Sequence, residues 1–202
     1  MKIDTQVRCY NFPCMDITPD LHQMPSLELE PKSIRMLVIS ESVPVNPGND
    51  YYSPGKPAYA RTTLSVFRSA GVQAASMQDL LDQGIYFTSA VKCPKTSFSI
   101  QVDTIKECSR LLEKEVALFP NLKVILLMGE VAVKAFNSIS IRVHQQRVVP
   151  DGPTYQVRAW KFAFNGIRVM PSYSQVGTID KSKYGTIVED IAKAMQLMLA
   201  EE

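Results

Sequence analysis

Apolar positions along this chain follow two rhythms. Met36-Leu37-Val38-Ile39 is a short unbroken apolar run and the stretch 122–128 is apolar except for Lys123; both predict strands buried on both faces. A third strand is expected over 85–91, just after Gly84. Elsewhere apolar residues recur at steps of three and four, the spacing of one helix face. Ile105, Cys108, Leu112, Val116 and Phe119 form such a stripe over 102–119, and Ile187, Ile191, Ala194 and Met198 form one over 186–199. Shorter helices are expected over 61–70, closed by Gly71, and over 77–82 and 131–136. Asn165-Gly166, flanked by the stretches 154–164 and 167–170, predicts a hairpin.

The first 33 residues carry Pro13, Pro19, Pro25 and Pro31, too closely spaced for a long helix, so they predict an irregular arm. Beyond the arm, strands and helices alternate. That order predicts a three-layer α/β/α fold with a four-stranded, mainly parallel sheet, right-handed crossovers and a small hairpin appended. No internal repeat divides the chain, so a single domain over 1–202 is expected.

Composition narrows the function classes. The 202 residues are 46% hydrophobic, enough for one substantial core. Twenty-two Lys and Arg against 20 Asp and Glu give a net charge of only +2. A nucleic-acid footprint, where cations meet phosphates, must therefore be a local basic face. No apolar run reaches the roughly 18 residues of a membrane span, and Met1-Lys2-Ile3-Asp4 does not open a secretory signal. A cytoplasmic, non-membrane monomer is expected.

In a reducing cytoplasm, grouped cysteines bind metal more often than they pair. Cys9 and Cys14 are spaced C-x4-C in the arm, Cys93 follows the strand 85–91, and Cys108 sits on the inward stripe of the helix 102–119. Two loop ligands, one from a strand end and one from a helix can meet at one point. Four thiolates suit a [4Fe–4S] cluster or a structural zinc; four free buried thiols are the plainer reading. Zinc sites usually pair their ligands in short knuckles, whereas Cys93 and Cys108 lie 15 positions apart, which favours the cluster.

Several segments, in order, resemble the uracil-DNA glycosylase superfamily and its iron–sulfur family 4 branch. Val38-Ile39-Ser40-Glu41-Ser42-Val43-Pro44 is similar to that family's first motif, and Gly55-Lys56-Pro57-Ala58-Tyr59 to its second. Thr88-Ser89-Ala90-Val91-Lys92-Cys93 resembles its Thr-Asn-x-Val-Lys-Cys strand, and Ile105-Lys106-Glu107-Cys108 carries the fourth cysteine. Lys123-Val124-Ile125-Leu126-Leu127-Met128-Gly129 and Gly166-Ile167-Arg168-Val169-Met170-Pro171-Ser172-Tyr173-Ser174 complete the likeness. The departures are Ser89 for the family's asparagine, Ser174-Gln175 for its His-Pro, and Ser40 and Ser42 in the first motif.

The resemblance implies DNA as partner, a base flipped from the stack, and cleavage of its N-glycosylic bond. Glu41 is then the carboxylate that faces sugar charge and water, and Ser174 the donor to the leaving base. Tyr59 would stack on the base, with Tyr51 and Tyr52 as rivals, while Ser40, Ser42, Ser89 and Tyr173 would line the pocket. Asp50 is a second acid in the same loop. Tyr173 or Gln175 is expected to enter the duplex gap, and Arg142, Arg147, Lys181 and Lys183 to grip phosphates. A lone serine hydroxyl cannot present the paired donor and acceptor of an asparagine amide. A slow uracil enzyme, or one adapted to another base, is therefore expected; the alternative is a lesion- or abasic-site-binding protein of the same fold.

Overall fold

The computed structural model describes residues 1–11, 13–177 and 179–200. Five strands, β1 (Met36–Ser42), β2 (Ile85–Val91), β3 (Val124–Met128), β4 (Phe162–Phe164) and β5 (Ile167–Ser172), form one sheet in the order β2-β1-β3-β5-β4. The first four in that order run parallel, and β4 is antiparallel at the edge. The helices are α1 (Ile3–Gln6), α2 (Ala58–Ser69), α3 (Met77–Asp82), α4 (Val102–Val116), α5 (Glu130–His144), α6 (Thr154–Val157) and α7 (Lys181–Leu199). The expected α/β class with a mainly parallel sheet is what the chain adopts.

The sheet is covered on both sides. Leu37, Ile39, Ile125 and Leu127 join Ile105, Leu112, Phe136 and Ile139 of α4 and α5 in one core. Met36, Val38, Val124 and Leu126 point the other way, into a second core with Leu64 and Phe67 of α2, Leu80 of α3 and Ile191 of α7. Burial on both faces is why β1 and β3 read as continuous apolar runs rather than alternating ones.

The differences from expectation have local causes. The Asn165-Gly166 hairpin is present, with both residues at positive φ (50° and 82°), as a tight two-residue turn between strands requires. Yet β5 is not an appendage: it extends the sheet from β3, so only β4 is added to the parallel set. The stretch before β4 is helical at Thr154–Val157. Helix α4 stops at Val116, three residues before the expected end, ahead of Pro120, which disfavours helical geometry in the residue before it. Helix α5 runs well past 136, where polar Asn137 and Ser140 break the apolar pattern. Asn137 is buried because its amide clamps the returning chain: Oδ1 accepts from Val148 and Val149 N–H, and Nδ2 donates to the Val149 carbonyl.

The arm is irregular but docked. Lys2 bridges Glu28 and Ile17 bridges Lys95. Asp16 accepts from Gln101 N–H at 2.6 Å and from the Thr104 hydroxyl, tying the arm to the start of α4.

Topology places the crevice. The chain leaves β1 towards the α2 face and leaves β3 towards the α5 face. Neighbouring strands whose connections part to opposite faces open a gap at their carboxyl ends, the usual place for a ligand in an open α/β sheet. Glu41 is the last residue but one of β1, beside that gap.

Candidate functional site

Ile39 pairs with Leu127, so Glu41 lies level with Gly129, the residue that turns β3 into α5. Glu41 is half-buried, and its Oε1 accepts a hydrogen bond from Val131 N–H at 3.3 Å. The carboxylate lies on the bare backbone of Gly129. A Cβ there would stand 2.6 Å from Glu41 Oε1 and 2.8 Å from Cδ, and φ is +108°. Glycine is needed at 129 on both counts. The first turn of α5 has unpaired N–H groups and partial positive charge, which favour a carboxylate in that position.

Alternation sends Ser40 to the opposite face. Its hydroxyl donates to the Thr88 carbonyl at 3.2 Å and shares a 2.9 Å hydrogen bond with Ser89. Both serines are buried, so these two residues do meet where a base pocket is expected. Ser42 is also buried, and its carbonyl accepts from Tyr59 OH at 3.1 Å.

The space in front of the serines is filled by Tyr51. Its ring is 2% exposed and packs against Phe87 at 5.3 Å and edge-on to Tyr59 at 5.4 Å. Its hydroxyl hydrogen-bonds to the Ser40 side chain and accepts from Gln175 Nε2 at 3.2 Å. What remains beside Ser89, Asp50 and Lys92 is a void of about 10 Å³. Gln175 is fully buried, and Oε1 of its amide has no partner among the described residues. It therefore cannot enter a duplex gap as expected from sequence. Sequence reasoning missed Gln175 as a pocket residue because its burial depends on Tyr51, 124 positions away. Burial lifts the Asp50 carboxyl above the ordinary aspartate range, opposed by the Tyr51 N–H and by Lys92.

Ser174 and Tyr173 lie half-buried just past the end of β5. Gly129 N–H donates to the Ser172 carbonyl at 3.0 Å, which brings the root of this segment beside the Glu41 seat. Tyr173 carries Lys183 Nζ over its ring at 5.1 Å. Behind it, Ser172 donates to Asp190 at 2.6 Å, and Asp190 pairs with Arg158 at 2.7 Å, fixing α7 to β5.

Between the serine pocket and the cysteines lies a buried ion pair that the sequence did not announce. Lys92 Nζ is 2.5 Å from both Glu115 Oε2 and Thr88 Oγ1, and the two charged side chains are 1% and 0% exposed. Tyr86 OH and Thr88 Oγ1 donate to Glu115 Oε1 at 2.7 and 2.9 Å. The backbone N–H of Lys92 points the other way, to Cys108 Sγ at 3.2 Å.

Cys9, Cys14, Cys93 and Cys108 all line one cavity of about 190 Å³. The docked arm brings this about, since the Ile17–Lys95 bridge holds Cys14 close to Cys93. Burial raises all four thiols, Cys93 to about 12 and Cys108 to about 11. Neighbouring cysteines add to the rise at Cys93. Burial therefore favours the neutral thiol at each, and a bound cation would convert them to thiolates. Arg8, Arg110 and Lys114 line the same cavity and suit a site that is anionic when loaded, though Glu107 lies there too. No three His, Cys, Asp or Glu side chains among the described residues gather closely enough to hold one ion. Zinc at about 2.3 Å from each sulfur would need such a gathering. A four-iron cluster gives each thiolate its own iron and fills volume, so an all-sulfur set spread around a cavity fits it better.

The surface cations expected to grip phosphates are largely committed elsewhere. Arg142 pairs with Glu113 at 2.6 Å, Arg147 with Asp151, and Lys183 with Asp180 at 3.8 Å. Among the described residues no helix is long and apolar enough to cross a membrane.

Residues 35–189 match the family model described as the Uracil DNA glycosylase superfamily. The match takes in Glu41, Ser89, Ser174, Cys93 and Cys108 and leaves the arm with Cys9 and Cys14 outside it. None of the curated proteins matches the chain. The matched segment spans well over half of the sequence, and the chain belongs to this superfamily.

Proposed function

We propose that this member of the Uracil DNA glycosylase superfamily hydrolyses the N-glycosylic bond of a flipped, deaminated or modified base in DNA. The observation that carries the reading is the seat of Glu41: a half-buried carboxylate at the sheet's switch point, laid on Gly129 and held by Val131 N–H. As the bond from C1′ to the base nitrogen lengthens, positive charge grows on the sugar, and a fixed carboxylate stabilises it. Glu41 then takes a proton from the water that attacks C1′. The bonding electron pair leaves with the base, and the Ser174 hydroxyl is the nearby donor for that developing anion. Ser40 and Ser89 face the base, Tyr59, whose hydroxyl donates to the Ser42 carbonyl, stacks on it, and Tyr173 lines the pocket.

The thiol-lined cavity supports placement in the iron–sulfur family 4 branch, with Cys9, Cys14, Cys93 and Cys108 holding a [4Fe–4S] cluster. When bound, the cluster supplies a structural anchor between the arm, the end of β2 and α4. The thiol chemistry suits a reducing cytoplasm, with the chain acting as a monomeric single domain.

A specific observation favours the second reading, a protein that binds lesions or abasic sites with little turnover: Tyr51 occupies the space a base would need. Oligonucleotides carrying different damaged bases, incubated with the anaerobically purified protein and then with alkali, separate the two. The glycosylase reading predicts strand breaks at one class of base. It also predicts that Glu41→Ala lowers this by about 10²–10³-fold while binding is kept. Binding without breaks at any base establishes the second reading instead.

A further inference from the structure

Apart from the strand ends at Glu41, the molecule has a cleft of about 630 Å³ between the loop 51–57, α2 and α3. Lys56, Arg61 and Arg68 line it, and among the described residues no aspartate or glutamate does. The acids of neighbouring α3 are engaged within their own helix. Asp79 accepts from Ala75 N–H, Ser76 N–H and the Ser76 hydroxyl, capping α3, and Asp82 accepts from Gln78 Nε2 at 2.7 Å. Arg61 and Arg68 are seven positions apart on α2, two turns on one face and roughly 10 Å along the axis. Leu64 lies between them on the cleft wall, and its carbonyl accepts from Arg68 Nε at 3.1 Å, which fixes where that guanidinium stands.

The cleft adjoins the proposed pocket. Tyr51 lines both the cleft and the void beside Ser89, so a single ring is the wall between them. With a net charge of only +2, the chain needs a local cationic surface to attract a polyanion. Of the cations expected to provide one, Arg142, Arg147 and Lys183 are matched with carboxylates. A cleft of this volume is in the range that holds a small ligand, room for a few linked nucleotides of one strand rather than a duplex.

We infer that this cleft binds the sugar–phosphate backbone of the DNA strand flanking the target base, with Lys56, Arg61 and Arg68 on successive phosphates. The inference rests on the reading of this chain as a DNA-acting protein and adds where the strand lies. Fluorescence anisotropy with a labelled single-stranded oligonucleotide, over a salt series, tests it on the full chain. Replacing Lys56, Arg61 and Arg68 together by Gln should reduce the slope of log K against log salt by about 2, at about 0.7 for each phosphate that no longer meets a cation. The three side chains are exposed, so circular dichroism and the melting temperature should match the parent. Glu41→Ala should leave the slope unchanged. An unchanged slope in the triple variant overturns the cleft, even if excision is seen. A reduced slope supports the cleft even if no base is excised, in which case the glycosylase reading alone fails.

Discussion

Four residues apart, at β2 and just beyond its end, Ser89 and Cys93 open onto two spaces that the chain treats in opposite ways. At Ser89 the protein fills the space itself: Tyr51 inserts, engages Ser40 and Gln175 through its hydroxyl, and leaves about 10 Å³. At Cys93 it does not. Four sulfurs line about 190 Å³, and burial raises each thiol above its ordinary range. Tyr51 gives the Ser40 side chain a partner from within the chain, whereas thiols set around a gap are completed, on the function proposed above, by a metal brought in. On the function proposed above, the first space is a pocket to be opened and the second one to be loaded. Lys92 separates them, with its N–H on Cys108 and its ammonium in the ion pair with Glu115.

Removing that wall should have the largest effect. Lys92→Met leaves Glu115 charged and buried without its cation, and breaking such a pair from one side costs about 3–5 kcal/mol. Urea unfolding measures it. A loss under about 1 kcal/mol would mean the pair does not hold the two spaces apart. A smaller effect sharpens the serine side. Tyr51→Phe keeps the ring but strips Gln175 of its hydrogen bond, so stability should fall by about 1–3 kcal/mol. A neutral result in the same unfolding assay would show that Tyr51 is not held in place by Gln175 and Ser40.

Much of this was legible in the sequence where local signals suffice. The runs in β1 and β3, the span of β2, helix α3 with its Ser76 cap and the Asn165-Gly166 turn all carry their cause within a few residues. The position of Glu41 at the sheet edge was legible too, because a strand end followed by a loop rich in Pro, Gly and Asn marks that edge. The rest depends on distant partners. Asn137 looks like a helix breaker until its clamp on Val148 and Val149 is seen. Arg142 and Arg147 look like phosphate ligands until Glu113 and Asp151 neutralise them. Gln175 follows β5 as a loop residue would, and only the approach of Tyr51 explains its burial. Lys92 and Glu115 are 23 positions apart, and no periodicity links them.

Whether the sulfur-lined space takes up a cluster, as proposed, is settled by counting the metal in it. Iron and acid-labile sulfide should be measured on protein purified without oxygen, beside Cys108→Ser. A bound [4Fe–4S] cluster gives close to four of each per parent chain, a brown colour, and a marked loss of both in the variant. A colourless, iron-free parent that still gains none on anaerobic reconstitution with iron and sulfide would contradict it.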